Sequence, residues 1–121
     1  MNKSSNTKQY DLEDRTFLFT KNVRVFIKKL PRTISNIEDS KQLNNASGSV
    51  GANYIEANES ISKKDFVFRI KICHKESKES RYLLRLVDTE NADNLDKEKK
   101  NLVNESEELT KIFGAILEKC K

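Results

Sequence analysis

Along four stretches of the chain, apolar or small residues recur at alternating spacings of three and four, which marks one face of an α-helix each time. The first track is Leu12, Thr16, Phe19, Val23, Phe26 and Leu30, and the second is Leu43, Ser47, Val50, Tyr54, Ala57 and Ile61. The third reads Phe66, Ile70, Cys73, Ser77, Ser80, Leu84 and Val87; the fourth reads Leu102, Ser106, Leu109, Phe113, Ile116 and Cys120. The pattern predicts an all-α fold, an antiparallel up-down-up-down four-helix bundle whose core is these four tracks.

Local signals set the expected limits. Helix one, about residues 11–30, opens on the acids Asp11, Glu13 and Asp14, closes on Lys28 and Lys29, and must stop before Pro31. Thr33 or Ser35 is available to cap helix two, about 34–60. Ser62, followed three residues later by Asp65, forms a capping box with the shorter acid and starts helix three, about 63–87. Residues 88–94 are rich in turn formers, and Asp93 or Asn94 can cap helix four, about 94–119. Helix two contains the run from Asn44 to Asn53, with glycines at 48 and 51 that each cost about 1 kcal/mol relative to alanine. Either a neighbouring backbone approaches closely there or the helix kinks. Residues 1–9 read as a disordered tail, leaving 10–121 as one helical bundle domain.

Charge sharpens the topology. Residues 1–32 hold eight Lys or Arg against three acids (+5), residues 33–60 one against four (−3), residues 61–87 eight against three (+5), and residues 88–121 six against nine (−3). In an up-down-up-down bundle every adjacent pair is then opposite in sign, and like-charged helices stand on diagonals. Exposed pairs contribute at most about 1 kcal/mol each, so the alternation selects topology more than it adds stability.

Composition bounds the rest. With 121 residues, 35% of them charged, and only three Gly and one Pro, the chain suits long solvated helices rather than a many-turned β fold. The amino end lacks the apolar run of a signal peptide, and no stretch has the apolar length of a membrane span. Both cysteines fall on core tracks, as small buried side chains in a reducing cytoplasm.

Two further patterns bear on function. Opposite its core track, helix three carries Phe68, Ile72, Tyr82 and Leu86, a second apolar seam; helix one carries surplus apolar residues at Phe17, Leu18, Val25 and Ile27. Regular exposed apolar spacing points to self-association, with Phe68, Ile72, Tyr82, Leu86, Leu18 and Val25 as the oligomer interface. Beside the seam runs a basic stripe, Lys71, His74, Lys78, Arg81 and Arg85, with Lys75 next to it, and helix one ends in Arg24, Lys28, Lys29 and Arg32. These nine Lys and Arg residues are the expected nucleic-acid contacts, for RNA or DNA, unless they serve only to face acidic helices two and four.

Catalysis finds no constellation. His74 and Cys73 are helical neighbours that point about 100° apart, and one His with two distant Cys gives no zinc spacing. The acids Glu56 and Glu59 are read as hydrogen-bond acceptors rather than acid/base catalysts. Gly48 and Gly51 lack the lysine and strand of a phosphate loop. The residues predict no catalytic site, no metal and no cofactor.

The run SGSVGANYIEANES (Ser47 to Ser60), preceded by FIKKLPRTISNIEDSKQL and followed by SKKDFVFRIKICHKESKESRYLLRLV, resembles the four-helix-bundle proteins first noticed in intervening sequences of bacterial 23S ribosomal RNA genes. The resemblance covers about residues 10–118. It departs from many relatives in reading Tyr54-Ile55-Glu56-Ala57 where they commonly have Ile-Ala-Glu-Gly, and in lacking a Gly-Ser pair in helix three. The resemblance implies a cytoplasmic bacterial protein without known enzymatic activity, assembled as a closed, pentameric ring. It extends to the accessory variability protein of diversity-generating retroelements, a basic barrel, which implies nucleic acid and a reverse transcriptase as partners. Against this stands a plain interaction or scaffold module with no nucleic-acid role.

Overall fold

The computed structural model describes residues 12–121. The expected tail and the helix start at Asp11 lie outside them. The described residues form four α-helices, α1 Leu12–Lys28, α2 Ile34–Asn58, α3 Lys63–Leu86 and α4 Asp93–Lys119, packed on one another with no strand among them. Each helix packs on its sequence neighbour and α1 packs on α4, whereas no Cα pair within 8 Å joins α1 to α3 or α2 to α4.

The contacts between helices pair rising numbers with falling ones. Glu13 receives a hydrogen bond from Asn58, and Thr20 donates to the Ser47 carbonyl at 2.8 Å. Between α2 and α3, Arg69 donates to Asn53 and Cys73 to the Val50 carbonyl. Between α3 and α4, Arg81 donates to Glu107 while Lys99 donates to the Val87 carbonyl.

The core follows the apolar tracks. Phe19, Val23 and Phe26 of α1, Leu43 and Val50 of α2, Ile70, Cys73 and Leu84 of α3, and Leu109 and Phe113 of α4 are all buried. Small polar track residues Thr16, Ser47, Ser77, Ser80 and Ser106 are fully buried too. Several of their hydroxyls are satisfied inside the helix, as when Ser77 donates to the Cys73 carbonyl at 2.8 Å. Tyr54, Phe66 and Ile116 are half-buried and pack against this cluster, while Cys120 is half-buried at the end of α4.

Four expectations need correction. Ile61, placed on the second core track, is 95% exposed, because α2 ends at Asn58 and the period does not continue through the turn. Ile27, taken as surplus, is half-buried and packs against the core. Helix α1 ends at Lys28 rather than Leu30, whose side chain is nevertheless buried. Helix α4 begins at Asp93 after Ala92, which supplies no side-chain cap, so neither Asp93 nor Asn94 plays that part.

Other ends match their local chemistry. Thr33 accepts from the Asn36 N–H, Ser62 accepts from the Asp65 N–H, and α3 runs to Leu86. The glycine-containing run stays helical throughout α2. A Cβ on Gly51 would lie 3.0 Å from Thr16 Oγ1, so close approach of α1, rather than a kink, accounts for the small residues.

The two connections at one end of the bundle are tied together by Asn36, which is 2% exposed. Its side-chain nitrogen donates to the Pro31 and Asp88 carbonyls, both at 2.9 Å, and its oxygen accepts from the Asp88 N–H. Glu90 and Asn91 then take left-handed φ values of 54° and 62°, and Ala92 N–H donates to the Thr89 carbonyl to close the turn into α4.

Candidate nucleic-acid interface

Among the described residues the alternating charge resolves into few ion pairs between segments, and all of them end on α4. Arg15 holds Glu105 in a two-point contact at 2.7 and 2.9 Å, Lys29 meets Glu98 at 2.8 Å, and Arg81 meets Glu107 at 2.7 Å. The Glu105 hydrogen bond raises the Arg15 pKa further above its ordinary value, although burial opposes it. No ion pair joins α2 to a neighbour among the described residues; its Glu38 pairs only with Lys41 of the same helix. Helix α2 instead meets its basic neighbours through the amides Asn53 and Asn58.

Of the nine basic residues singled out from the sequence, three therefore have acidic partners: Lys29, Arg81, and Lys75, which sits 3.5 Å from the adjacent Glu76. The other six, Arg24, Lys28, Arg32, Lys71, Lys78 and Arg85, are exposed and have no side-chain hydrogen bond or ion pair among the described residues. Lys28 and Arg32 share the wall of a cavity of about 210 Å³ where α1 turns into α2. Lys71, Lys78 and Arg85 lie at seven-residue intervals on α3, which puts them in one row.

His74 does not add charge to that row at neutral pH. It packs toward α4, with its Nε2 3.5 Å from where a Cβ on Gly114 would stand, and burial, followed by the charge of Lys78, lowers its pKa. Cys73 points into the core, where burial pushes its thiol up to about 12. The two side chains thus serve different helix contacts. Among the described residues no group of three or more His, Cys, Asp or Glu is arranged to hold a metal ion. A groove between α2 and α3 has Glu76 and Glu79 in its wall, with Gln42, Asn45 and Ser49 opposite.

The apolar seam of α3 reaches solvent. Phe68 is 57% exposed, Tyr82 61% and Leu86 50%, whereas Ile72 is half-buried. On α1, Phe17, Leu18 and Val25 are exposed to a similar degree. The sequence reading passed over Ile34 and Ile55 of α2, which are also exposed. Both lie off the regular track, and within α2 neither belongs to an extended run of large apolar residues at helical spacing that would mark a second seam. No helix among the described residues is long and apolar enough to cross a membrane.

Comparison with known proteins adds to this geometry. A family model described as 23S rRNA-intervening sequence protein matches residues 8–115. Among solved structures, the chain is similar to the crystal structure of a protein of unknown function from the S23 ribosomal protein family of Bacteroides thetaiotaomicron. The two share 26% identity and superpose with a TM-score of 0.74, covering 87% of this chain and 96% of the other. No curated protein gave a match.

Proposed function

The chain belongs to the 23S rRNA-intervening sequence protein family, and from that premise we propose that it is a non-enzymatic, homo-oligomeric helical bundle that binds RNA or DNA electrostatically. The contacts are Arg24, Lys28 and Arg32 at the end of α1 and Lys71, Lys78 and Arg85 along α3, with Lys29, Lys75 and Arg81 adding to the field while they hold their acidic partners. One observation carries the reading: six exposed cations have no partner among the described residues, although the adjoining helices α2 and α4 carry acids. Cations without an acidic partner remain available to an external polyanion and add to the field that attracts it.

An antiparallel up-down-up-down order is part of the proposal, supported by contacts that pair early residues of one helix with late residues of the next. Self-association is supported by the exposed seam Phe68, Tyr82 and Leu86, with half-buried Ile72 on the same helix, and by Leu18 and Val25 on α1. α1 and α3 stand on a diagonal and their outward faces look away from each other, an arrangement that suits copies joined head to tail. Such contacts close into rings when the rotation permits, and the family resemblance implies five copies.

Fluorescence anisotropy with a labelled single-stranded RNA at several salt concentrations tests the binding. If six cations each meet a phosphate, log affinity falls with log salt at a slope of about −4. Lys71→Glu with Lys78→Glu, both on exposed turns, reduces affinity and flattens the slope while circular dichroism stays unchanged. A flat salt response, or full affinity in that variant, refutes the proposal. A total lack of binding by an oligomeric protein leaves the scaffold reading in its place.

A further inference from the structure

The fold separates its like-charged helices inside one copy, and head-to-tail joining brings them together between copies. Helices α1 and α3 are the two basic segments, they occupy a diagonal with no Cα pair within 8 Å, and they carry the exposed apolar residues. A junction that buries Phe17, Leu18 and Val25 of one copy against Phe68, Tyr82 and Leu86 of the next sets Lys21, Arg24 and Lys28 beside Lys71, Lys78 and Arg85. Among the described residues α1 carries the acids Glu13 and Asp14 and α3 carries Asp65, Glu76 and Glu79, fewer than the Lys and Arg of either helix, and Glu76 already meets Lys75. The apolar surface therefore favours assembly while the charge resists it.

Resting on the functional reading above, we infer that nucleic acid and self-association are positively coupled: a phosphate backbone laid across the junction supplies the counter-charge that the two basic faces lack. The physical content is linkage. A polyanion that binds two adjoining basic faces better than one stabilises the assembly, and the assembly raises affinity for the polyanion by the same factor. Among the described residues the cross-helix ion pairs are made on α4, to Arg15, Lys29 and Arg81, and none of them reaches Arg24, Lys28, Lys71, Lys78 or Arg85.

Sedimentation velocity of the full chain tests the coupling, with uridine oligomers as the probe. An oligomer of about 20 nucleotides outruns the roughly 36 Å length of α3 and can cross a junction, whereas one of about three nucleotides cannot. At low salt the long oligomer tightens self-association on the order of ten-fold and the short one leaves it unchanged. Without RNA, raising salt from about 50 to about 300 mM strengthens association, because it screens like charges. Lys21→Glu removes most of that repulsion: without RNA the variant assembles more tightly than the parent at low salt and gains less from added salt. A long oligomer that binds yet leaves the association constant unchanged or weaker overturns the inference, as does a Lys21→Glu variant that responds to salt like the parent. In those cases binding and assembly both survive, so the functional reading stands. Failure to bind RNA, or failure to assemble under any condition, removes the functional reading and the coupling with it.

Discussion

The two glycines of α2 lie one turn apart, and the structure assigns them opposite responses to the same substitution. A methyl group on Gly48 would meet nothing nearer than Arg24 Nη2 at 3.9 Å and Thr20 Cγ2 at 4.0 Å, both ordinary contacts. On Gly51 it would lie 3.0 Å from Thr16 Oγ1 and 3.4 Å from Thr16 Cβ. Thr16 cannot turn away easily, since it is fully buried and its hydroxyl donates to the Leu12 and Glu13 carbonyls at 2.9 and 3.0 Å. Replacing a helical glycine with alanine gains about 1 kcal/mol from backbone entropy. Overpacking a tight contact loses about 1–3 kcal/mol. Gly48→Ala is therefore expected to stabilise by about 1 kcal/mol and Gly51→Ala to range from neutral to destabilising by about 2 kcal/mol. At about 4 °C per kcal/mol for a chain of this size, the thermal midpoint rises by about 4 °C in the first variant and falls by up to about 8 °C in the second. Thermal and urea unfolding at one fixed protein concentration measure both, because the midpoint of any self-associating chain depends on concentration. Adding Thr16→Ala to Gly51→Ala should recover part of the loss, giving a coupling that Gly48→Ala does not share. Equal stabilisation by the two alanines would refute the close approach of α1 to α2 at Gly51.

Three other outcomes are expected. Asn36→Ala removes the three hydrogen bonds that join the two connections and is expected to cost about 2–3 kcal/mol in urea unfolding, since the Asp88 N–H loses its partner in a part-buried site. His74 has a lowered pKa in the fold, so the unfolded chain takes up its proton first as pH falls; stability is full above the ordinary histidine value of 6.5 and declines below it, and His74→Gln should flatten that decline in denaturation curves taken across the acid range. Cys73 behaves in the opposite sense: its contribution is kept below the ordinary thiol value of 9.0 and is lost as pH rises toward about 12. A thiol reagent at neutral pH should accordingly label half-buried Cys120 in the native protein and Cys73 only after denaturant is added.

The spacing of apolar residues found most of the core because helix period and burial are one physical fact seen twice. Within a regular helix, every third or fourth side chain returns to the same azimuth, and Leu12 to Phe26 or Ile70 to Leu84 are buried for that reason. The same logic fails where the helix stops. Ile61 keeps the interval from Ala57, but the backbone between them has already turned toward the Ser62 cap, so the side chain meets solvent. Leu83 and Asn36 were missed for a related reason: burial there depends on what lies opposite. Leu83 flanks the core track beside Leu84, and Asn36 is buried only because the Asp88 backbone, 52 residues away, supplies its partners. Segment charges show the complementary limit. The alternation of +5 and −3 anticipated which helices would neighbour one another, since like signs do stand on the diagonals. It did not anticipate that pairing would fall on α4 alone, because a sum over a segment carries no azimuth. Glu56 of α2 is exposed, as are Lys71 and Lys78 on α3, and none of the three has an ion-pair partner among the described residues, so opposite totals coexist with unpaired side chains. That mismatch leaves the basic faces of α1 and α3 electrostatically unsatisfied within one copy, and it is the physical reason to look for their counter-charge outside the chain.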